Sequence, residues 1–255
     1  MFVRLMGAAA ILLVWPGIAM AEQTSGREIV RLLFQSSREK PADLGKADLH
    51  RLDLAEIDFK AANLKHADLS GADLTRANLA GCSMSDTNLD SAVLTGADFS
   101  GADLDRATIR RPSIFHALET SRDEAPRFTI TTLREAWLLG VFDFADFSRA
   151  NLSGARLGPL NIRDNQGVIV GNGFRSANFQ GTNLQNATLQ RANLSFADLS
   201  QADLTNADLR GADLSRATLR GANITEADFT GATIDGTDFT GAVGMSTATG
   251  LGRAP

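Results

Sequence analysis

The sequence predicts an all-β solenoid, and three features of its 255 residues lead to this prediction. From Ala42 the chain falls into units of five residues, each centred on Leu, Phe, Ile or Met. The residue two before the centre is usually Ala, and turn-forming Gly is frequent. One large and one small apolar residue in every unit predict a narrow core that runs along a stack of coils.

A period of five cannot be buried by a single helix or strand. On an α-helix five residues advance by about 500°, and on a strand successive centres face opposite sides. The centres are all buried if the chain turns a corner after every unit, so that each unit forms one side of a coil. Four sides then give coils of about 20 residues that stack around a continuous interior.

Two interruptions divide the repeats into three blocks. Residues 42–111 form the first block, 140–164 a weaker one, and 172–241 the last, separated by an insert at 112–139 and a loop at 165–171. The centres of the weaker block are Phe142, Phe147, Leu152, Leu157 and Ile162. The blocks form either one coaxial rod or two short solenoids that the middle segment joins.

Residues 1–21 are expected to be a secretory signal peptide. Arg4 precedes an apolar run that begins at Gly7, and Ala19-Met20-Ala21 supplies the small residues that a signal peptidase recognises. We therefore predict cleavage between Ala21 and Glu22, a periplasmic or secreted protein, and no membrane span after cleavage. An uncleaved N-terminal anchor is the alternative, although a span needs about 20 apolar residues.

Caps are expected at the two ends of the solenoid. Residues 22–41 hold Ser25 and Glu28, a capping box that predicts a short amphipathic helix over 26–37 against the first coil. Residues 242–255 have few apolar side chains and predict a flexible tail. Either this tail covers the last coil, or the C-terminal edge of the solenoid pairs with another molecule. A homodimer would be one result of such pairing.

The insert predicts a short helix and the main candidates for binding. Thr132 and Glu135 form a second capping box ahead of apolar residues that end near Gly140. The helix either covers a break in the coil or carries a recognition loop, since irregular segments on rigid scaffolds often bind partners. The interaction candidates are Trp137, the charged residues Arg122, Asp123 and Glu124, and the outward aromatic residue Phe196.

Charge and cysteine content exclude several classes of function. The chain has 25 basic and 30 acidic residues, a net charge of −5, whereas a protein that binds the nucleic-acid backbone needs a basic face. One cysteine forms neither an intramolecular disulfide nor a cysteine-rich zinc site. Because no known catalytic or nucleotide-binding motif occurs either, we expect no enzyme activity, no cofactor and no metal.

Cysteine and histidine fit repeat positions rather than active sites. Cys82 lies two before Met84, where Ala is usual, so a buried thiol is expected. His116 falls in the insert. With 20 residues per coil, two outward charge columns are predicted, Lys46–His66–Asp86–Arg106 and His50–Ser70–Asp90–Arg110. Exposed ion pairs in such columns contribute about 0–1 kcal/mol each.

The units resemble those of the pentapeptide-repeat family, whose consensus is approximately A(D/N)LXX. The resemblance covers thirty-three units and implies a right-handed quadrilateral β-helix. The repeat residues are structural, so the resemblance implies a non-catalytic scaffold that binds an unidentified protein partner. The alternative is a DNA-mimicking protein that binds gyrase, as some family members do. That alternative conflicts with an export signal, since gyrase is cytosolic, and with the basic residues that interrupt the negative charge of the outward columns.

Overall fold

The computed structural model describes residues 26–114, 122–158 and 172–252. Four elements are regular: helix α1 at Gly26–Gln35, strand β1 at Thr108–Arg110, a 3₁₀ turn at Arg122–Glu124 and strand β2 at Trp137–Leu139. Strands β1 and β2 are parallel, with Ile109 opposite Leu138. The other described repeat units contribute isolated parallel bridges instead of long strands.

Four ladders of parallel bridges run along the solenoid. Asp43 pairs with Asn63, Asp48 with Asp68, and the same step of 20 residues recurs on the next two sides. The first ladder links ten residues by nine bridges, which at about 4.8 Å per bridge gives a rod of roughly 43 Å. The predicted four-sided coil of about 20 residues therefore accounts for the bridges, while the right-handed turn stays a prediction.

Each corner has a fixed hydrogen-bond pattern that explains the polar repeat positions. The Oδ1 atom of Asp73 accepts a hydrogen bond from the backbone N–H of Thr75 at 2.9 Å, which is an Asx turn. The next residue, Arg76, has φ of 54°. Asp or Asn before the centre therefore bends the chain, and the residue two after the centre occupies the left-handed region.

The centres of the units form one continuous core. Every described centre from Leu44 to Phe229 is buried, together with the alanines two positions earlier except Ala47, which is partly buried. On one side the phenyl rings of Phe99, Phe128, Phe147 and Phe179 stack with centroid distances of 5.0, 4.9 and 5.0 Å. This aromatic stack crosses both interruptions and gives the middle of the rod a densely packed interior.

Three of the four ladders continue across the first interruption, and all four continue across the second. Asp98 pairs with Arg127 across the first one, and Asp146 pairs with Asn178 across the second. The blocks therefore form one solenoid, and the alternative of two short solenoids is wrong. The coil between the interruptions is one residue shorter, because its centres Leu138 and Phe142 are four residues apart rather than five.

The predicted helix in the insert is wrong. Repeat units resume at Arg127, and Thr132 and Trp137 continue the ladders toward Asn151 and Arg156. The centres Phe128, Leu133 and Leu138 keep the period of five, and burying them in the coil outweighs the local helix signal of the capping box. The irregular part of residues 112–139 is thus shorter than predicted, and its only described helical element is the 3₁₀ turn.

Helix α1 packs onto the beginning of the solenoid. Ile29 and Leu33 are buried and belong to the same core cluster as the unit centres. The Nζ atom of Lys60 donates to the backbone oxygens of Leu33 and Ser36 at 2.8 and 3.1 Å. These contacts tie the end of the helix to the first coil, while Phe34 is 86% exposed.

At the C-terminal end the coil continues further than the sequence predicts. Val243 pairs with Asn223 and Thr249 pairs with Asp228, so the prediction of a flexible tail over 242–255 is wrong for these residues. The last centres are less well covered than those before them. Ile234 and Phe239 are only partly buried, and Val243 is 56% exposed.

Several predictions lie outside the described residues. These are the signal peptide at 1–21 with its cleavage site at Ala21 and Glu22, the loop at 165–171, Ile162 and His116. In the part of the chain that the structure does describe, no helix is long and apolar enough to cross a membrane.

Candidate interaction groove

One corner of the solenoid carries two outward aromatic residues. Phe144, Ser176 and Phe196 each lie two after a buried centre, on consecutive coils of the same corner. Phe196 is 46% exposed and Phe144 is half-buried. Because the residue between them is a serine, the two phenyl rings border a depression in the surface.

This depression is the corner groove, with a volume of about 360 Å³. Its lining residues come from the 3₁₀ turn, the corner itself and the neighbouring side of the coil: Arg122, Phe144, Asp146, Ser176, Ala177, Asn178, Phe196 and Asp198. Its size lies in the range of ligand-binding clefts, about 300–1,000 Å³. The groove is open to solvent and combines aromatic walls with a polar floor.

The aromatic residues occupy backbone positions that do not favour them. Phe144 has φ of 63° and Phe196 has φ of 60°. Bulky side chains are rare in the left-handed region, where glycine and asparagine are preferred. Gly96 and Gly236 occupy equivalent corners on other coils, with φ of 65° and 69°. Non-glycine residues such as Arg76 and Arg216 adopt the same φ at their corners, so this conformation belongs to the repeat. What distinguishes Phe144 and Phe196 is a large apolar side chain at an outward position.

Arginine side chains lie over both rings. The Arg122 guanidinium is 6.0 Å from the centroid of Phe144. Arg175 and Arg216 are each 5.6 Å from the centroid of Phe196. Among the described residues none of these three arginines forms an ion pair. Cation–π contacts of this length stabilise by about 0.5–1 kcal/mol at exposed sites.

The 3₁₀ turn is held at this corner by the backbone. The N–H of Gly96 donates to the carbonyl oxygen of Glu124 at 2.7 Å. The turn thus occupies the corner position between Gly96 and Phe144. This placement brings Arg122 next to the phenyl ring of Phe144. The side-chain Oε2 atom of Glu124 is buried without a hydrogen-bond partner among the described residues.

Two carboxylates lie on the polar floor. The Oδ1 atom of Asp146 accepts from the N–H of Ser148 at 2.9 Å and from Nδ2 of Asn178 at 3.0 Å. The Oδ1 atom of Asp198 accepts from the N–H of Ser200 at 2.9 Å. Both turns therefore use Oδ1, and within the described residues the Oδ2 atoms carry no hydrogen bond.

A half-buried carboxyl group lies next to the corner. Burial raises the pKa of Asp143, and the opposing effects are a hydrogen bond from the N–H of Arg175 at 2.9 Å and the charge of Arg175. Asp143 is not one of the groove-lining residues, but it lies beside the backbone of Gly173 on the same side of the coil.

The structure brings together two of the predicted interaction candidates and separates a third. Arg122 and Phe196 line the same groove, with Asp123 and Glu124 in the turn that carries Arg122. Trp137 lies on another ladder, with Arg110 and Arg156 at 5.2 and 5.9 Å from its ring. Its Nε1 atom is buried and has no partner among the described residues.

Sequence reasoning missed Phe144, although a signal for it was present. Phe144 follows the centre Phe142 by two residues, as Phe196 follows Leu194. The same outward offset identifies both residues. Their closeness was hidden, because the step from Phe144 to Ser176 is lengthened by the second interruption.

The predicted charge columns are confirmed around Asp86 and Asp90, whereas His50 pairs with Asp48 of its own unit. Asp86 accepts from Nε of Arg106 at 2.8 Å and lies 3.9 Å from Nδ1 of His66. The hydrogen bond from Arg106 lowers the pKa of Asp86. In the second column Nε of Arg110 donates to Asp90 at 2.7 Å. Exposed pairs of this kind stabilise only weakly.

The cysteine is buried as predicted. Cys82 is 1% exposed and belongs to the core cluster. Burial raises the pKa of its thiol to about 12. The thiolate is therefore negligible at neutral pH, and the residue acts as a small apolar side chain. Across the described ranges, no group of three or more His, Cys, Asp and Glu side chains is placed to hold a metal ion.

Solved structures of similar proteins are also repeat proteins. HetL, a pentapeptide repeat protein involved in heterocyst differentiation regulation from the cyanobacterium Nostoc sp. strain PCC 7120, is 26% identical, with 85% of this chain and 93% of HetL covered and a TM-score of 0.42. QnrB1, a plasmid-mediated fluoroquinolone resistance protein, is 19% identical, with 78% and 88% covered and a TM-score of 0.40. A search of curated proteins found no match.

A family comparison of the sequence agrees with the ladders. The model of pentapeptide repeats matches in 8 copies, over residues 42–79, 72–111, 174–206 and 202–241. These matches cover more than half of the chain and coincide with the two long regular blocks. The chain therefore belongs to the pentapeptide-repeat family.

Proposed function

We propose that the protein is an exported, non-catalytic scaffold that binds a partner protein through the corner groove. In this proposal the chain is a right-handed quadrilateral solenoid, which α1 caps at its N-terminal end. The observation that carries the proposal is the pair Phe144 and Phe196, two outward aromatic residues held at left-handed corners on a rigid rod. Aromatic residues and arginine are enriched in protein interfaces, and the groove offers both.

The test of this interface compares variants at equivalent positions. Phe144→Ser and Phe196→Ser copy the serine that naturally occupies the corner between them. Phe34→Ser removes an exposed phenylalanine on α1 and is the matched control. Partners cross-linked in the envelope fraction are identified by mass spectrometry. The proposal requires a partner that the two groove variants lose and the control keeps, and partners retained by all three variants would contradict it.

These point variants are a better test of the interface than a deletion of residues 112–139. That range includes the ladder residues Arg127, Thr132 and Trp137, so its removal would take away complete sides of the coil. The loss of binding would then report misfolding rather than the loss of a recognition element.

Export is a separate part of the proposal. The motif Ala19-Met20-Ala21 after the apolar run supports it. Fractionation of cells that express the full chain, followed by N-terminal sequencing, tests it. A product that starts at Glu22 outside the cytoplasm is the expected result, and an intact Met1 in the cytosol would contradict export.

Pairing of two copies through the C-terminal end is a further part of the proposal. It is supported by the partly buried centres Ile234 and Phe239 and the exposed side chain of Val243. Val243→Lys places a charge on this edge and should shift a dimer to a monomer in light scattering. A wild-type protein that is monomeric at high concentration would contradict the pairing.

The alternative of a DNA-mimicking, gyrase-binding protein of the quinolone-protection type has less support. DNA mimicry needs a continuous negative surface, whereas Arg106 and Arg110 neutralise Asp86 and Asp90 on two outward columns. Arg122, Arg175 and Arg216 add further positive charge around the corner groove. A gyrase supercoiling assay with the purified protein tests it, and inhibition at micromolar concentration would revive this alternative.

A further inference from the structure

We infer that the corner groove takes a basic side chain of the partner, an arginine or a lysine. Arg122 is then the chain's own occupant of this place in the unbound protein. The inference rests on the proposed function above, because it specifies the chemistry of the same groove. It follows from three features: the position of Arg122, the space above Ser176 and the two carboxylates of the floor.

The first feature is a cation that already lies in the groove. The Arg122 guanidinium lies 6.0 Å from the centroid of Phe144 and belongs to the groove lining. A cation within about 6 Å of a ring centroid is attracted by the negative face of the ring. The chain itself therefore shows that the groove accommodates a guanidinium group.

The second feature is the space between the rings. Phe144 and Phe196 are two coils apart, roughly 10 Å along the rod, with the small side chain of Ser176 between them. A cation above Ser176 is then about 5 Å along the rod from either corner, between the two rings. The groove volume of about 360 Å³ is sufficient for the head of one such side chain.

The third feature is the negative floor. Asp146 and Asp198 use Oδ1 for their turns, so their Oδ2 atoms face no hydrogen-bond donor among the described residues. A guanidinium group has five N–H donors in a planar fork that matches carboxylate oxygens. The groove lining thus offers a cation both aromatic rings and carboxylate oxygens.

The other charged groups near the groove are Arg175, Arg216 and Asp143. Arg175 and Arg216 contact Phe196 at 5.6 Å but are exposed and do not line the groove. Asp143 lies next to Arg175 and partly balances it. The net charge of the chain is −5, which favours the approach of a basic rather than an acidic partner.

The test uses a fluorescein-labelled peptide, Gly-Ser-Arg-Ser-Arg-Ser-Gly, and measures fluorescence anisotropy. The matched peptide has citrulline in place of both arginines, which keeps the shape and removes the charge. A third peptide has glutamate at these positions. We expect saturable binding of the arginine peptide alone. Equal binding of the citrulline peptide, or preference for the glutamate peptide, would overturn the inference.

Variants of the protein locate the binding. Asp146→Asn with Asp198→Asn removes both charges but retains the Oδ1 acceptors, as natural Asn178 does at the same repeat position. The affinity for the arginine peptide should fall about tenfold. The matched control is Asp213→Asn, whose carboxylate serves the same turn on another side of the coil. An unchanged affinity of the double variant would contradict the inference.

Arg122→Gln separates the inference from a merely acidic surface. Because Arg122 competes with the incoming cation for Phe144, its removal should tighten binding of the arginine peptide about threefold. Weaker binding would show that Arg122 recruits the ligand instead of competing with it, and would overturn the inference. If no peptide binds while an envelope partner still depends on Phe196, the inference is wrong and the proposed function stands.

Discussion

The side chain of Asn172 donates a hydrogen bond from Nδ2 to the carbonyl oxygen of Leu138 at 2.8 Å, across 34 residues of sequence. The same amide donates to the carbonyl of Leu157 at 2.5 Å and accepts from the N–H of Gly140 at 3.0 Å. Asn172 occupies the inward position where alanine is usual, and it is 1% exposed. It thus satisfies backbone groups that the shortened coil and the second interruption leave without ladder partners.

Asn172→Ala should lower the free energy of unfolding by about 2–4 kcal/mol, because it leaves buried backbone groups unpaired. Thr182→Ala is the matched control, since Thr182 lies at the same inward position and its side chain donates one hydrogen bond, to the carbonyl oxygen of Phe147. That change should cost about 1 kcal/mol. Urea denaturation measures both, and equal losses would show that Asn172 does not repair the coil.

Phe196→Asn should leave the free energy of unfolding unchanged or raise it by up to about 1 kcal/mol. The wild-type residue has φ of 60°, and Asn206 adopts φ of 58° at another corner. The opposing loss is the pair of contacts with Arg175 and Arg216. Thermal unfolding followed by circular dichroism provides the measurement. A marked fall in Tm would mean that Phe196 is required for the fold.

Asp143→Asn should stabilise the protein at pH 7 and have little effect near pH 3. Burial raises the pKa of Asp143 in the folded state above the unfolded value of about 3.9. The folded state therefore holds its proton more tightly, and stability falls as pH rises through this window. Asparagine keeps an acceptor for the N–H of Arg175 and removes the buried charge.

Asp86→Asn is the control, because its effect on stability at pH 7 should be opposite to that of Asp143→Asn. The hydrogen bond from Arg106 lowers the pKa of Asp86 in the folded state. The stability that Asp86 contributes is therefore present above its pKa in the unfolded state and is lost as pH falls through its pKa in the folded state. This variant should be slightly less stable than wild type at pH 7 and equal to it at low pH. The change in Tm relative to wild type is measured for both variants at pH 3 and pH 7. If both variants shift Tm in the same direction at pH 7, the assigned pKa directions are contradicted.

Cys82 should not react with a thiol reagent such as dithionitrobenzoate while the protein is folded at pH 7. The thiol is 1% exposed and its pKa is raised to about 12 by burial, so both access and thiolate are lacking. After denaturation in guanidinium chloride it should react at the rate of an ordinary thiol. A rapid reaction of the folded protein would show that the coil opens near this residue.

Local signals in the sequence were sufficient to predict the core residues, but they led to a wrong prediction where two signals competed. The capping box of Thr132 and Glu135 favours a helix, whereas Phe128, Leu133 and Leu138 keep the period of five. Stacked coils bury all three centres, and a short helix at this place could not, so the coil formed. The C-terminal prediction failed similarly, because Val243 and Thr249 find ladder partners although the last units lack large centres.

The sequence by itself determined the repeat, the core residues and the bent corners, because burial of a centre depends only on its position within five residues. It also identified Arg122 and Phe196 as separate candidates. Only the tertiary structure placed them in one groove with Phe144. Which outward residues become neighbours depends on the register between coils, and the interruptions change that register by lengths that carry no local signal. The groove is therefore a property of the stacked coils rather than of any single unit.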